Sequence, residues 1–239
     1  MNLQKSIWER HTEDVKVDKE MLNSPAFFQK ELAILMRLIA KSESKCIEVG
    51  CEFGITSYLL PKTFDKSFVD YNEDALNKCK QLGQISGQSG NYILCDMFQM
   101  PLEHIGKYDL VFNAGVIEHY DLEDRVKLLQ SMNKMATHDG IVVVAFPNHY
   151  SFPYRLAYSL MTLFGKWKFP KEFKLFDLEK EAAASGMVQS ARLTISKASL
   201  FSWLNPKPFF LFQVILKLLD KVNSFEGYLT CIILQKKEV

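Results

Sequence analysis

The chain predicts an α/β fold with a mostly parallel sheet covered on both faces by helices. Two observations carry that prediction. Apolar runs of strand length, Cys46–Val49, Ser67–Val69, Asn91–Cys95, Tyr108–Phe112 and Ile141–Phe146, alternate with segments that have the caps and stops of helices. Each of the first four runs also ends in a glycine turn or in a small or polar residue, where an open parallel sheet places its ligand.

The elements follow in order. Ser24-Pro25 has the form of an N-cap with proline in the first helical position, and a helix is expected from there to about Ala40. Its Phe28, Leu32, Leu35, Met36 and Ile39 make one buried stripe. The strand Cys46–Val49 then meets a glycine turn, and the next helix stops at Pro61. After Ser67–Val69 and Asp70, Asn72 caps a helix whose first turn holds Glu73 and Asp74; Gly83 is expected to end it, with 83–90 as loop. Asp121 caps the helix between the last two of the five strands, with a stop near His138–Gly140.

Past Pro147 the alternation lapses. Nine aromatic residues between Tyr150 and Phe176 are interleaved with Arg155, Lys166, Lys168, Lys171 and Lys174. A helix over 178–185, a strand Val188–Ile195, a helix entered through Pro206 and Pro208, and a final strand Tyr228–Leu234 complete the chain, the last two strands finishing the sheet at one edge. There is no internal repeat. The expected organisation is one domain over 1–239: an N-terminal helical cover (1–40), a ligand-binding core (41–147), an inserted lid (148–176) and the rest of the sheet (177–239).

Composition narrows the function classes. With 239 residues and 48% hydrophobic content the chain has the means for a sizeable core. Its 29 basic and 28 acidic residues leave a net charge of +1, so no field of one sign draws in a polyanion and nucleic acid is not expected. Five cysteines, odd in number and without a Cys-x-x-Cys pair, fit reduced thiols in a cytoplasmic protein. The first ten residues lack the apolar core of a signal peptide, and the longest apolar stretch, Phe209–Leu219, is too short to span a bilayer.

The strand ends hold the chemistry. Glu48-x-Gly50-x-Glu52-x-Gly54 follows the first strand, where glycines let backbone approach a ligand. Glu52 and Ile55 stand where a pyrophosphate loop needs its later glycines, and a carboxylate there opposes a pyrophosphate but not a cation. Asp70, twenty residues past Gly50, has the spacing of a carboxylate that accepts from a ribose diol, or it simply caps the next turn. Asp96 and Met97 suit an adenine amino group and ring face, and Asn113-Ala114-Gly115 ends the fourth strand.

As an ordered set, Cys46 to Gly54, Phe68-Val69-Asp70-Tyr71-Asn72, Leu94-Cys95-Asp96-Met97, Tyr108-Asp109-Leu110-Val111 through Ile117-Glu118-His119, and Asp139-Gly140-Ile141-Val142-Val143-Val144 resembles class I S-adenosylmethionine (SAM)-dependent methyltransferases. The similarity is greatest to small-molecule O-methyltransferases, including those of the ubiquinone pathway. That resemblance implies a Rossmann-like three-layer sandwich with a seven-stranded, mostly parallel sheet whose last strand is antiparallel. It implies SAM as cofactor, with Glu48, Gly50, Cys51 and Gly54 in the loop for the methionine portion, Asp70 on the ribose, Tyr71, Asp96 and Met97 around the adenine, and Asn113 and Ala114 beneath the methionine chain.

Glu52, where the family usually has glycine, is the departure. His119 is the candidate general base, or else a residue that orders the loop after the fourth strand. Some similar enzymes hold a divalent metal through Glu-x-x-Glu-His here; Gly115 replaces the first Glu, so no metal is expected. The aromatic segment either packs as a lid over an apolar acceptor pocket or docks on a lipid surface through Trp167, Phe169 and the lysines. Trp8 and His11 are expected to close the site from the other side. Methyl transfer to a small, partly apolar acceptor, most often on oxygen, is the expected activity. A SAM-binding sensor without transferase activity and a nicotinamide-dependent reductase are the competing classes.

Overall fold

The structure is a computed structural model that describes residues 3–13, 15–200 and 210–237. Helices α1 (Leu3–Glu13), α2 (Glu20–Asn23) and α3 (Phe27–Ile39) come first. Then β1 (Lys45–Val49), α4 (Ile55–Leu59), β2 (Asp65–Asp70), α5 (Glu73–Ser86), β3 (Asn91–Leu94), β4 (Tyr108–Ala114), α6 (Leu122–Met135) and β5 (Ala136–Pro147) alternate. After α7 (Phe152–Leu163) and α8 (Glu179–Ala184) come β6 (Met187–Ile195), α9 (Phe210–Asn223) and β7 (Leu229–Lys236).

The strands form a seven-stranded sheet in the order β3-β2-β1-β4-β5-β7-β6. β1 to β5 pair in parallel, and β7 runs antiparallel between β5 and β6. The final strand therefore lies inside the sheet, and β6 is the edge. Sheet order reverses between β1 and β4, so the loops after these two strands border the crevice where such a sheet accepts a ligand.

Side chains alternate across the sheet. Ile47, Val49, Val111, Val142, Val144 and Ile232 pack against Leu128, Leu129 and Met132 of α6 and Ala182 of α8. Cys46, Leu110, Phe112, Val143, Ala145 and Cys231 face Leu32 and Met36 of α3, Tyr154 and Ala157 of α7, and Leu216 of α9. Two-sided burial is why these strands read as unbroken apolar runs.

Several boundaries differ from the sequence expectation, each for a local reason. Helix α3 begins after Ala26, whose N–H is accepted by Gln29 Oε1 at 3.0 Å, whereas Ser24 closes α2 by donating its N–H to Glu20 O. Helix α5 passes through Gly83 and ends at Gly87. An added Cβ at Gly83 would sit 2.6 Å from Tyr58 Oη and 2.7 Å from Tyr92 Oη, so this glycine makes room for the Tyr58–Tyr92 hydrogen bond. β5 begins at Ala136, directly after α6, and its register against β4 shifts between Tyr108 and Leu110. Asn72 and Asp121 cap as expected: Asn72 Oδ1 accepts from Asp74 N and Ala75 N, and Asp121 Oδ1 from Asp124 N. The helix entry at Pro206 and Pro208 lies outside the described residues.

Candidate active site

The loops beyond the sheet's switch point are stapled to neighbouring strands. Gly50 N and Cys51 N donate to Val69 O at 2.8 and 3.0 Å, Cys95 N to Asp70 O at 3.1 Å, and Gly115 N to Ala145 O at 2.9 Å. Above them opens a cavity of about 510 Å³, within the size range of small-molecule sites.

Its first half is built from the strand ends. Asp70 Oδ2 accepts from Glu52 N at 2.9 Å and Oδ1 from Asn72 N at 3.0 Å, which fixes the carboxylate while each oxygen keeps a further lone pair. Burial raises the Asp70 pKa, opposed by the N–H groups of Asn72, Glu52 and Tyr71. Gly50, Tyr71, Asp96, Met97 and Ala114 also line the cavity. Helix α1 closes this end: Lys5 Nζ lies 4.9 Å from the Tyr71 ring centre and 3.9 Å from Asp96 Oδ2, and Tyr71 Oη donates to Lys5 O at 3.2 Å. The helix is anchored to α5 by Asn72 Nδ2 donating to Thr12 Oγ1 at 2.9 Å and by Lys78 on the carbonyls of Thr12 and Glu13.

Four expected cofactor residues stand behind the cavity wall instead. Glu48 turns to α4, accepting from Ser57 Oγ at 2.6 Å; burial raises its pKa to about 8 against the lowering by those Ser57 bonds. Cys51 is buried in a cluster with Tyr58, Phe68 and Cys79. Gly54, in the left-handed backbone region, presses on Phe68 and Cys79. Asn113 shares the sheet face of Val111, so its Nδ2 meets Met132 Sδ of α6 at 3.5 Å, and its buried Oδ1 has no hydrogen-bond partner. These residues shape the loops from below.

Glu52 enters the cavity on a left-handed backbone with φ of 48°. Its Oε1 lies 3.4 Å from His11 Nε2, and burial followed by Asp70 pushes its pKa up. Burial, then Lys168, lowers the His11 pKa, so this contact is one between a mostly neutral imidazole and a carboxyl group rather than a firm ion pair.

The second half of the cavity joins α1 to the lid. Trp8 packs edge-on to His119 at 5.4 Å between ring centres and against Phe169 at 5.8 Å; His11 meets Phe169 at 5.2 Å, and Trp167 meets Phe169 at 5.5 Å. Tyr154 and Tyr228 complete the aromatic wall. Trp167 and Phe169 both line the cavity.

At the floor, His119 is 4% exposed. Its Nδ1 lies 3.2 Å from Lys171 O, and since a carbonyl only accepts, Nδ1 carries the proton and Nε2 the lone pair. Burial lowers the His119 pKa, partly offset by Glu172 and the Lys171 carbonyl, which keeps the ring neutral near pH 7. Nε2 lies 4.0 Å from Glu118 Oε1. The lid segment is tied along this turn, because Phe173 N also donates to Glu118 O at 2.7 Å. Between those two bonds, Glu172 reaches inward, accepting from Tyr154 Oη at 2.8 Å with His149 Nε2 2.7 Å away. Among the described residues, Glu118, His119 and Glu172 form a buried set whose ligating atoms lie within 4.8 Å of one another. Sequence spacing left this set at two members, and its third comes from the lid.

Residues 47–144 match the family described as a methyltransferase domain. No curated protein matches the sequence. Among solved structures, magnesium protoporphyrin IX methyltransferase from Synechocystis, crystallised with S-adenosylhomocysteine (SAH), superposes with a TM-score of 0.64 at 15% identity, covering 98% of this chain and 94% of the other. Geranyl diphosphate C-methyltransferase from Streptomyces coelicolor, in complex with Mg2+, geranyl diphosphate and SAH, gives 0.64 at 12% identity with 99% of each chain covered. A SAM-dependent methyltransferase from Clostridium acetobutylicum gives 0.60 at 10% identity, covering 92% and 96%. At these identities the structures demonstrate a shared fold. Among the described residues no helix is long and apolar enough to cross a membrane.

The residues present fit SAM on two counts: an anchored Asp70 carboxylate with spare lone pairs on the cavity wall, and a Gly50 turn with φ of 69° directly beside Val116. With the domain match over 47–144 and the strand order β3-β2-β1-β4-β5-β7-β6, residues 47–144 are similar to a methyltransferase domain and the chain shares the fold of SAM-dependent methyltransferases of known structure.

Proposed function

We propose that the chain is a class I SAM-dependent methyltransferase whose acceptor is a small, partly apolar molecule methylated on oxygen. The observation that supports this reading is His119, a neutral imidazole with its Nε2 lone pair at the cavity floor, under a wall of Trp8, Tyr154, Trp167, Phe169 and Tyr228. Bound SAM supplies an already activated methyl group, so the protein's own work is alignment and proton removal. Asp70, Tyr71, Asp96 and Met97 would hold the adenosyl end. The aromatic wall orients the acceptor and excludes water, and Nε2 takes the proton of its hydroxyl group. Incubation with SAM labelled at the methyl group and fractionated cell extract, followed by mass spectrometry, identifies the product. A label on nitrogen or carbon overturns the oxygen assignment.

The base assignment has its own expected result. His119→Asn should reduce turnover of that acceptor roughly 10²- to 10⁴-fold. The wild-type rate should be level above about pH 6.5, the usual histidine value, because the folded pKa is shifted below it. It falls only as pH drops through that lowered pKa, where Nε2 becomes protonated; Glu118, Glu172, His149 and Trp8 are the groups facing the ring. Full turnover in the variant would remove His119 as the base.

The end of α7 supports a second, peripheral contact. Leu163 and Phe164 are 78% and 59% exposed, ahead of the exposed Lys166 and Lys168, a pattern suited to an anionic lipid surface. Leu163→Ser with Phe164→Ser should lower cosedimentation with phosphatidylserine-containing vesicles. Equal sedimentation argues against it.

A further inference from the structure

We propose that the outer faces of α3 and α9 form a docking surface for an anionic lipid bilayer, on which the protein lies without crossing it. Helix α9 carries the first observation, because its apolar residues are turned the wrong way for a helix that only covers a sheet. Gln213 and Leu216 face the core, 5% and 3% exposed, with Asp220 half-buried one turn further on. Leu211, Val214, Ile215, Leu218 and Leu219 point outward instead, and Leu211 and Leu218 are 68% and 59% exposed. Spacings of three and four residues set these five in one stripe along the helix. A surface helix ordinarily buries such a stripe, and an exposed one marks an interaction site.

Helix α3 extends the surface. Phe27, Ile34 and Leu38 are exposed on it, while Leu32, Ala33 and Met36 pack on the sheet. The turn after β6 joins the two helices: Ser196 N donates to Glu31 Oε2 at 2.6 Å, and Lys197 Nζ lies 3.2 Å from Asp220 Oδ1. Asp220 Oδ1 also accepts from Phe225 N at 2.8 Å. Glu31 and Asp220 are the only acidic residues of α3 and α9, so this turn engages every carboxylate the two helices have. Their exposed charges are all basic: Lys30, Arg37, Lys217 and Lys221. Acidic and basic residues are nearly equal in the whole chain, 28 against 29, so the basic face is a local arrangement and not a consequence of composition.

That charge pattern selects the occupant. A second copy of the chain, packed through the same face about a two-fold axis, would set like cations against one another. An anionic bilayer instead meets each cation with a phosphate or carboxylate and takes the apolar stripe among its acyl chains. At 14 residues α9 is too short to span the hydrocarbon layer, so it lies in the plane of the interface. The surface uses no residue of the α7 tip and stands without the methyl-transfer reading. One consequence does rest on that reading. Helix α7 belongs to the same helical layer and its Tyr154 lines the cavity, so docking would hold the acceptor pocket near a bilayer, where partly apolar acceptors concentrate.

The test is flotation of the full chain with vesicles of phosphatidylcholine alone and of phosphatidylcholine with phosphatidylserine, at low and at high salt. Binding should be confined to the vesicles with phosphatidylserine and should weaken at high salt. Ile215→Glu with Leu218→Glu, and separately Lys217→Glu with Lys221→Glu, should each lower the partition coefficient about tenfold or more. The loss should persist in a chain that already carries Leu163→Ser and Phe164→Ser. All four α9 side chains are exposed, so Tm and SAH affinity should stay at wild-type values. The SAH titration also keeps failure of the docking surface distinct from failure of the methyl-transfer reading. Absence of flotation with phosphatidylserine, equal flotation with phosphatidylcholine alone, or unchanged flotation of the folded Ile215→Glu, Leu218→Glu variant would overturn the proposal. So would a dimer in sedimentation velocity that this variant abolishes, since the face would then belong to a second copy.

Discussion

Asp70→Ala should weaken SAM and SAH binding about 100-fold or more in calorimetry. Hydrogen bonds to a charged group contribute roughly 1.5–3 kcal/mol each, and a ribose diol offers two. Asp70 also clasps the loop that faces the cofactor, through Glu52 N and Asn72 N, so the variant loses both the acceptor atoms and the shape of the turn. Asp70→Asn separates the two roles. Its amide oxygen restores one backbone bond, but its NH2 group meets the other N–H donor to donor, and affinity should fall between wild type and Asp70→Ala. Folding should change far less than binding, because burial holds the carboxyl pKa above its usual value. An acid shifted upward in the folded state opposes folding once ionised, and its removal relieves that cost while the two backbone bonds are lost. The same shift gives a pH signature: cofactor affinity should be lost on acidification at a higher pH than an ordinary aspartate would give, as the carboxylate protonates. Unchanged SAH affinity in Asp70→Ala would sink the cofactor site.

The half of the cavity built from the strand ends was legible because its signals are local. Asp70 and Asn72 are adjacent to the strand that positions them, and each strand end announces itself by an apolar run meeting a polar or small residue. Asn113 was misplaced although the sequence held the correcting signal. Residues two apart share a sheet face, so Asn113 follows Val111 toward α6 while Ala114 follows Phe112 and reaches the rim. The bounds of helix α1, within the expected N-terminal helical cover, were not legible for a different reason. It has no acidic residue in its first turn, and its Thr12–Glu13 end is held by Asn72 and Lys78 of α5, contacts between residues about sixty positions apart. Glu172 is the clearest case of information absent from local sequence. It lies in a segment without helix or strand, and bonds from His119 to Lys171 O, from Phe173 N to Glu118 O and from Tyr154 Oη to its own carboxylate hold it at the pocket floor.

Gly54→Ala tests the other half of the loop, the part that supports the cofactor turn without touching the cavity, and it should be among the most destabilising single-methyl additions in the chain. Gly54 has φ of 66°, and a Cβ there would lie 2.5 Å from Phe68 Cε1 and 2.7 Å from Cys79 Sγ, both fully buried. A left-handed non-glycine residue costs about 1 kcal/mol or more, and overpacking a filled core a further 1–3 kcal/mol, giving roughly 2–4 kcal/mol in total. For a domain of this size that corresponds to a fall in Tm of roughly 5–15 °C. Gly165→Ala is the matched control. Gly165 has φ of 62° but nothing within 4 Å of the added Cβ, so it bears the backbone cost alone and its Tm should fall only a few degrees. Equal shifts for the two variants in thermal unfolding followed by circular dichroism would mean that Phe68 and Cys79 yield easily and that backbone strain alone sets the cost. A larger shift for Gly54→Ala, accompanied by weaker SAH binding, would mean that close packing of Gly54 on Phe68 sets the height of the Gly50–Glu52 turn against the ligand. Glu52 already tolerates φ of 48° two residues earlier, where its side chain opens into the cavity. What separates the two positions is the wall behind Gly54 and the space in front of Glu52.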